Sequence, residues 1–266
     1  MDLKQLTNQV IEIARNAGQY IKSQQKSIHQ IKIQAKGVHN YVTEVDKNSE
    51  VFIVRELKRL LPESGFIAEE GTASAQKGEV FNWIVDPLDG TTNFIHGLMP
   101  VAVSIALQQN GQTVLGVVYE IGSDEMFYAY LDGGAFLNGE KIQVTRTANL
   151  DDTLLATGFP FYDYSRLDQY MQLLKHFMKV SHGLRRLGSA ATDLVYVACG
   201  RFDGFFEYSL SPWDVAAGAF IVEQAGGKIA DFQGGQNWLY GREIIASNPY
   251  IFDDFVKTVR SFMYQT

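Results

Sequence analysis

The sequence predicts an α/β (α+β) fold in which mixed sheets and helices are stacked in layers, and three observations support this prediction. Apolar side chains recur at helical spacing in residues 2–25. Between residues 101 and 130, three β-prone runs are joined by turn signals, the strongest of which is Asn110-Gly111. From residue 154 to residue 263, strand-like and helix-like segments alternate. An antiparallel meander combined with such alternation is typical of layered α/β proteins.

The N-terminal elements lead to a pair of acidic residues. After the first helix, residues 28–34 alternate apolar and polar side chains, which predicts a strand. Asp46 stands where it would cap a helix over residues 47–61. A short apolar run at residues 65–68 then leads directly into Glu69-Glu70. The acidic pair is therefore expected at the end of a buried segment.

The stretch from Trp83 to Phe94 places two carboxylates directly after a strand. Its first residues, 83–85, are apolar and β-prone. Asp86-Pro87 and Asp89-Gly90 are turn sequences, because proline fixes φ and glycine permits positive φ. Such a turn can direct both carboxylates and the intervening Leu88 carbonyl towards one point. These are hard oxygen ligands of the kind that Mg²⁺ takes.

The residues after this turn suit a phosphate group. If a helix begins here, the free backbone N–H groups of Gly90 and Thr91 face the same point as the carboxylates. The plain alternative is an ordinary turn, in which the aspartates accept hydrogen bonds from nearby amides. Glu69-Glu70 after its apolar run and Trp213-Asp214 at the start of a helical segment favour the metal site over that alternative.

The second half of the chain alternates strands and helices. A polar stretch around residues 145–152 is interpreted as a joint between an N-terminal subdomain (1–147), which carries the metal motif, and a C-terminal α/β subdomain (148–266), together one domain. Strands are predicted at 154–157, 202–208, 228–231 and 244–247, and helices at 167–179, 214–224 and 252–263. A further helix is predicted to be opened by Gly188-Ser189-Ala190 and ended by Gly200.

Composition and charge exclude several classes of protein. The 266 residues are 46% hydrophobic and 20% charged, which is typical of a globular protein with a sizeable core. The net charge is −7, whereas proteins that bind nucleic acids usually carry an excess of basic residues, so no nucleic-acid partner is expected. No apolar run is long enough to cross a bilayer, so no membrane association is expected. The single cysteine, Cys199, allows no internal disulfide, which favours a cytoplasmic location.

Several motifs, in order and spread over most of the chain, resemble those of the inositol monophosphatase family. The resemblance rests on residues 66–70, 83–94 and 212–218, with lesser matches at 133–139 and 188–191. It implies an αβαβα sandwich of two sheets and flanking helices. It also implies a lithium-sensitive phosphatase that uses two or three Mg²⁺ per active site and forms a homodimer.

The resemblance further implies roles for individual residues. One metal would take Glu69, Asp86 and the Leu88 carbonyl, and a second would take Asp86, Asp89 and Asp214. Glu69, Asp86 and Thr91 are the expected catalytic residues, of which Glu69 and Thr91 would orient the attacking water. The residues expected to contact substrate are Glu69, Asp89, Gly90, Thr91, Ala190, Glu207 and Asp214, and Lys36 and Asp46 are expected at the periphery.

Some of these residues have simpler explanations in the sequence itself. Asp46 and Asp214 could each do no more than cap a helix, which is the commoner role of an aspartate before a helical run. Glu207 alone would be a surface charge at the end of a strand. Arg185 and Arg186 could neutralise the carboxylates of the site or cover a dimer surface, and the sequence leaves both options open.

The expected function is Mg²⁺-dependent hydrolysis of myo-inositol monophosphate to inositol and phosphate by an activated water. A near alternative is a broader sugar phosphatase, for example one resembling fructose-1,6-bisphosphatase. An alternative from another class is a protein-binding module that retains the fold. Release of phosphate with and without Mg²⁺ distinguishes the hydrolases from the binding module.

Overall fold

The structure of the protein is a computed structural model that describes residues 1–25, 33–37, 40–72, 77–160 and 162–264. The helices are α1 (Leu3–Gln25), α2 (Glu44–Leu60), α3 (Thr91–Ile95), α4 (Leu167–Val180), α5 (Ala190–Ala198), α6 (Pro212–Gln224) and α7 (Phe252–Met263). The strands are β1 (Ile33–Gly37), β2 (Asn40–Thr43), β3 (Gly65–Ala68), β4 (Phe81–Asp89), β5 (Ala102–Gln109), β6 (Gln112–Glu120), β7 (Glu125–Tyr130), β8 (Gly134–Leu137), β9 (Glu140–Ile142), β10 (Leu154–Thr157), β11 (Gly183–Arg185), β12 (Gly204–Tyr208), β13 (Lys228–Ala230) and β14 (Glu243–Ser247).

The larger sheet has seven strands in the order β3-β4-β5-β6-β7-β8-β9. Strand β3 pairs with β4 in parallel, and each following pair is antiparallel. The expected antiparallel meander is therefore confirmed, with the Asn110-Gly111 turn joining β5 to β6. Both residues of that turn have positive φ, as the hairpin signal requires.

The smaller sheet has five strands in the order β11-β10-β12-β14-β13. Strand β10 pairs in parallel with β11 and β12, whereas β14 is antiparallel to both of its neighbours. Strand β12 therefore lies at the centre of the sheet, and it ends at Glu207 and Tyr208 close to the N-terminus of α6.

Side-chain alternation along the strands builds three apolar layers. Trp83 and Val85 of β4 pack against α1 and α2, while Ile84 between them faces α5 and α6. On β12, Phe205 faces α5 and α6, and Phe206 faces α4 and α7 on the other side. The order of layers is α1/α2, seven-stranded sheet, α5/α6, five-stranded sheet, α4/α7. The αβαβα sandwich is confirmed.

The structure differs from the sequence prediction at several places. The strand predicted at 83–85 continues to Asp89, and the expected break is a bulge within β4, since Asp86 pairs with Ser104 and Asp89 with Ala102. The short strands β2, β8, β9 and β11 were not predicted. Of the predicted strand over 28–34, residues 28–32 lie outside the described residues, and β1 begins at 33.

The division into two subdomains at residue 147 stays a prediction, although the strands of the larger sheet all precede that residue and those of the smaller sheet all follow it. Over the described part of the chain, the helices are all too short or too polar to span a bilayer.

Candidate active site

A cavity of about 420 Å³ lies where the bulge of β4 meets the N-termini of three helices. Helix α3 follows β4 directly, and α5 and α6 approach from the layer between the sheets. Its walls are formed by Glu69, Asp86, Leu88, Asp89, Gly90, Thr91, Thr92, His96, Gly158, Arg186, Gly188, Ser189, Ala190, Glu207, Leu210 and Asp214. Every residue that we predicted from the sequence to bind metal or substrate therefore lines this one cavity.

The bulge in β4 shapes the strand end that carries Asp86 and Asp89. The Leu88 N–H donates to Asp86 Oδ1 at 3.0 Å, so the chain folds back over the first carboxylate. The Thr91 hydroxyl lies 3.1 Å from the Leu88 carbonyl, to which it can donate. Gly90 occupies the left-handed region at φ 92°, and a Cβ there would lie 2.9 Å from the Pro100 carbonyl oxygen. Glycine is therefore required where the strand turns into α3.

Asp89 is held by the N-terminus of α5. The Ser189 hydroxyl donates to Asp89 Oδ2 at 2.6 Å, and the Ala191 N–H donates to the same oxygen at 2.8 Å. Burial raises the pKa of Asp89 to about 6, and the bonds from Ser189 and the Ala190, Ala191 and Gly90 amides oppose that rise. The amide of Ala190, expected to contact substrate, thus faces Asp89 in this structure, and its role towards substrate stays a prediction.

Asp214 is both a helix cap and a cavity residue. The Ser211 N–H donates to Asp214 Oδ2 at 2.7 Å, which completes a capping box at the start of α6. Burial, followed by the charge of Asp89, raises the pKa of Asp214 to about 8. The two explanations of Asp214 from the sequence are thus compatible, because the cap directs the carboxylate towards the cavity.

Asp86 is a buried carboxylate that lies close to the other three acids of the cavity. It is 2% exposed, and burial raises the pKa of its carboxyl well above the ordinary value, with further contributions from Glu69, Asp89 and Asp214. Four carboxylates that repel one another around one cavity form a hard-oxygen donor set suited to divalent cations. Among the residues that the structure describes, no group of three or more acidic, histidine or cysteine side chains is arranged so that it could hold a metal ion. The fit to Mg²⁺ rests on the chemistry and mutual repulsion of these donors.

Glu207 enters the cavity from β12. It is 6% exposed, and burial raises the pKa of its carboxyl to about 8, while the Arg186 charge opposes the rise. A Cβ built on Gly158 would overlap Glu207 Oε1, so the carboxyl rests directly on this glycine. The surface-charge explanation of Glu207 is wrong, because burial and position give it a place in the cavity wall.

Asp46 contacts Thr91 from the start of α2. The Thr91 hydroxyl lies 3.0 Å from Asp46 Oδ1, and the Thr43 N–H donates to Asp46 Oδ2 at 2.9 Å as part of a capping box. Burial raises the pKa of Asp46, and its bonds to Thr43 and Thr91 oppose the rise. The helix begins at Glu44 and not at residue 47, so Thr43 is its N-cap and Asp46 takes part in the capping box from inside the helix. The peripheral role of Asp46 in the site stays a prediction. The side chain of Lys36 lies outside the part of the chain whose side chains are described, so its role stays a prediction.

Sequence reasoning assigned no role to Ser189 and left the role of Arg186 open. Ser189 precedes a helical run, the usual N-cap signature, but its partner Asp89 is 100 residues earlier in the chain. Arg186 lines the cavity, and its guanidinium lies 5.5 Å from the centroid of the Phe159 ring. Both arginines are exposed, but Arg185 is not among the described residues that line the cavity, and it donates to the Leu184 carbonyl at 3.0 Å. Of the two arginines, Arg186 is the one that faces the site carboxylates.

The fold and the cavity together define a class of protein, an αβαβα sandwich with an acidic cavity of about 420 Å³ at the ends of its central helices. A sequence model of the inositol monophosphatase family matches residues 2–263. The chain belongs to the inositol monophosphatase family.

Individual relatives support this membership over nearly the whole chain. An inositol-1-monophosphatase of Mesorhizobium japonicum is 39% identical over 255 residues, which cover 96% of each chain. A putative Nus factor SuhB of Neisseria meningitidis serogroup B is 39% identical over 252 residues, covering 95% of this chain and 97% of the relative. The crystal structure of the extragenic suppressor protein SuhB from Bartonella henselae matches with a TM-score of 0.91 at 37% identity, covering 96% of this chain and 98% of that one.

Proposed function

We propose that this protein is a Mg²⁺-dependent phosphomonoesterase that hydrolyses myo-inositol monophosphate. The observation behind the proposal is the convergence of four carboxylates on one cavity beside the free amides of the β4–α3 turn. Two or three Mg²⁺ would be held by Glu69, Asp86, the Leu88 carbonyl, Asp89 and Asp214. When bound, Mg²⁺ supplies positive charge to the phosphate and lowers the pKa of a water molecule.

Within this proposal, Thr91 and Glu69 orient the attacking water. Thr91 Oγ lies within hydrogen-bond distance of Asp46 Oδ1 and of the Leu88 carbonyl, both of which are acceptors. Its hydrogen is therefore engaged on the protein side, and its lone pairs are left to accept a hydrogen bond from water in the cavity. Glu69 lines the same cavity and is the candidate to accept the second proton of that water.

The phosphate group would be held by the amides of Gly90 and Thr91 at the start of α3. Because α3 has only five residues, its dipole is small, and these amides act by direct hydrogen bonds. Thr92 and His96 line the cavity close by and limit its size on this side. The position of these amides next to Asp86 and Asp89 brings anion and cation sites together, as phosphoryl transfer requires.

The inositol part of the substrate would lie towards Glu207. Its carboxyl is buried in the cavity wall and fixed against Gly158, so it can accept hydrogen bonds from ring hydroxyls at a defined place. Another sugar phosphate with suitably placed hydroxyls would fit the same description. The substrate class is therefore a hydroxyl-bearing ring or chain with one phosphate ester.

The decisive test is phosphate release by the purified protein from a panel of esters. We expect turnover of myo-inositol monophosphate that depends on Mg²⁺ and stops in EDTA. Sugar phosphates and fructose 1,6-bisphosphate serve as competing substrates, and the ratio of their kcat/KM values ranks the specificity. Absence of Mg²⁺-dependent turnover on every ester would refute the proposal.

A second candidate function, protein binding, is favoured by the names of several relatives. Relatives from Escherichia coli, Vibrio cholerae and Pseudomonas aeruginosa, which are 38–41% identical, are named Nus factor SuhB, which is not the name of a hydrolase. We infer that the same fold can serve a protein-binding role in this protein, as a homodimer and in the cytoplasm. Sedimentation velocity tests the homodimer, and a pull-down with a catalytically silent variant tests the protein-binding role.

A further inference from the structure

Glu50 connects helix α2 to the segment that carries Glu69. Its side chain is 0% exposed and lies on the face of α2 that also buries Asp46, one helical turn earlier. A glutamate is rarely buried in this way unless several donors compensate its charge. Two residues that follow Glu69, namely Glu70 and Thr72, donate hydrogen bonds to Glu50.

Three short hydrogen bonds reach the Glu50 carboxylate. The Glu70 N–H donates to Oε2 at 2.6 Å, while the N–H and hydroxyl of Thr72 donate to Oε1 at 2.7 and 2.6 Å. Bonds to an ionised acceptor are about twice as strong as neutral ones. The segment after Glu69 is therefore anchored to α2 through one buried side chain.

The other side of Glu69 is anchored to the sheet. The Glu69 N–H donates to the Val85 carbonyl at 3.2 Å, one residue before Asp86 on β4. Glu69 thus lies between two fixed points, one on β4 and one on α2. Since Asp46 on α2 also contacts Thr91, this helix supports both of the residues that we assign to the attacking water.

We infer that Glu50 is a positioning residue that fixes the backbone after Glu69 and so sets the direction in which the Glu69 carboxylate enters the cavity. Glu50 is not among the described residues that line that cavity, so its effect passes through Glu69. The inference rests on the proposed function, because it takes Glu69 to be a metal ligand. Loss of a residue that supports a ligand typically weakens metal affinity or activity about 10- to 100-fold.

The test uses two substitutions and one matched control. Glu50→Gln places an amide NH₂ against one of the N–H donors, so at least one of the three bonds is lost. Thr72→Val removes only the hydroxyl bond and leaves both backbone bonds. Glu56→Gln is the control on the same helix, since the Glu56 carboxylate pairs with Arg59 at the surface and such pairs contribute little.

Two readouts do not depend on catalysis. Hydrogen–deuterium exchange measures the protection of the backbone at residues 70–72, and electron paramagnetic resonance measures Mn²⁺ binding without substrate. For Glu50→Gln we expect faster exchange there, Mn²⁺ affinity roughly 10- to 100-fold weaker, and a matching rise in the Mg²⁺ concentration for half-maximal turnover. Thr72→Val should change each quantity in the same direction by less, and Glu56→Gln should match wild type.

The outcomes separate the positioning role from the proposed function. A folded Glu50→Gln protein with wild-type Mn²⁺ affinity would overturn the inference. If that variant does not fold, Thr72→Val decides, and wild-type exchange and Mn²⁺ affinity in it would overturn the inference as well. A wild-type protein that releases no phosphate at any Mg²⁺ concentration refutes the proposed function. Hydrogen–deuterium exchange and Mn²⁺ binding still test the positioning role of Glu50 in that case.

Discussion

Replacing Glu207 should reveal what the cavity recognises besides phosphate. No metal is assigned to Glu207, so Glu207→Ala should leave the reaction itself intact and remove only a contact to the substrate ring. Burial raises the pKa of Glu207 to about 8, so the measurement is made above pH 8, where this carboxyl is ionised. A hydrogen bond to a charged group contributes about 1.5–3 kcal/mol, which corresponds to a loss of roughly 10- to 100-fold in kcat/KM. We expect this loss with myo-inositol monophosphate and no comparable loss with an aryl phosphate, which has no ring hydroxyls.

The structure offers a second route to the same result. A Cβ at position 158 would lie closer to Glu207 Oε1 than two atoms can approach. Gly158→Ala must therefore displace the Glu207 carboxyl without removing it from the protein. This variant should reproduce the substrate-selective loss of Glu207→Ala.

The assay is steady-state phosphate release from both esters at saturating Mg²⁺, with circular dichroism to verify folding. Equal losses of kcat/KM on the two esters would show that Glu207 supports the site or the fold and does not bind the ring hydroxyls of the substrate. If neither ester is affected, the inositol assignment loses its side-chain contact outside the carboxylate cluster. Either result would refute the role of Glu207 in recognising the substrate ring.

Three further predictions concern the metal site and the buried acids. Asp86→Asn should abolish turnover at saturating Mg²⁺ while circular dichroism stays unchanged, because it removes a ligand assigned to both metals and relieves charge repulsion. Li⁺ should inhibit noncompetitively or uncompetitively, and an activity curve that stays flat to high Li⁺ would contradict this. Burial raises the pKa of Glu207 from 4.5 to about 8, so the folded protein holds this proton more tightly than the unfolded chain does. The contribution of Glu207 to the free energy of unfolding is therefore complete below about pH 4.5 and is lost as the pH rises through 8. Unfolding midpoints in EDTA should fall over that window, and Glu207→Gln should flatten the fall.

The carboxylates of the site were predictable because the sequence marks them locally. Asp86 and Asp89 lie three residues apart in a string of turn-forming residues, and Asp214 precedes a helical run. These residues did not predict the path of the backbone, because the proline and glycine indicated that the strand ends after residue 85. In the structure, pairing of Asp86 with Ser104 and of Asp89 with Ala102 keeps the strand intact around a bulge.

The supporting contacts were not predictable, because they join distant parts of the chain. Ser189 donates to Asp89 across 100 residues, and such a bond depends on how α5 packs against the end of β4. Glu50 offered a signal that was not used: it shares the buried face of α2 with Ile53 and Leu57. An acid at an apolar position predicts a buried carboxylate with dedicated donors, but the sequence does not tell which donors these are.

The enzymatic and protein-binding proposals can be separated because of where the site residues lie. Asp86 is 2% exposed, so Asp86→Asn alters the interior of the cavity and leaves the outer surface unchanged. A partner that recognises that surface should bind this variant as it binds the wild type, whereas phosphate release should stop. If binding is lost together with turnover, the partner recognises the metal-loaded site and the two functions share one structural basis. The fold is therefore compatible with both functions, and substitution of the buried Asp86 carboxylate distinguishes them experimentally.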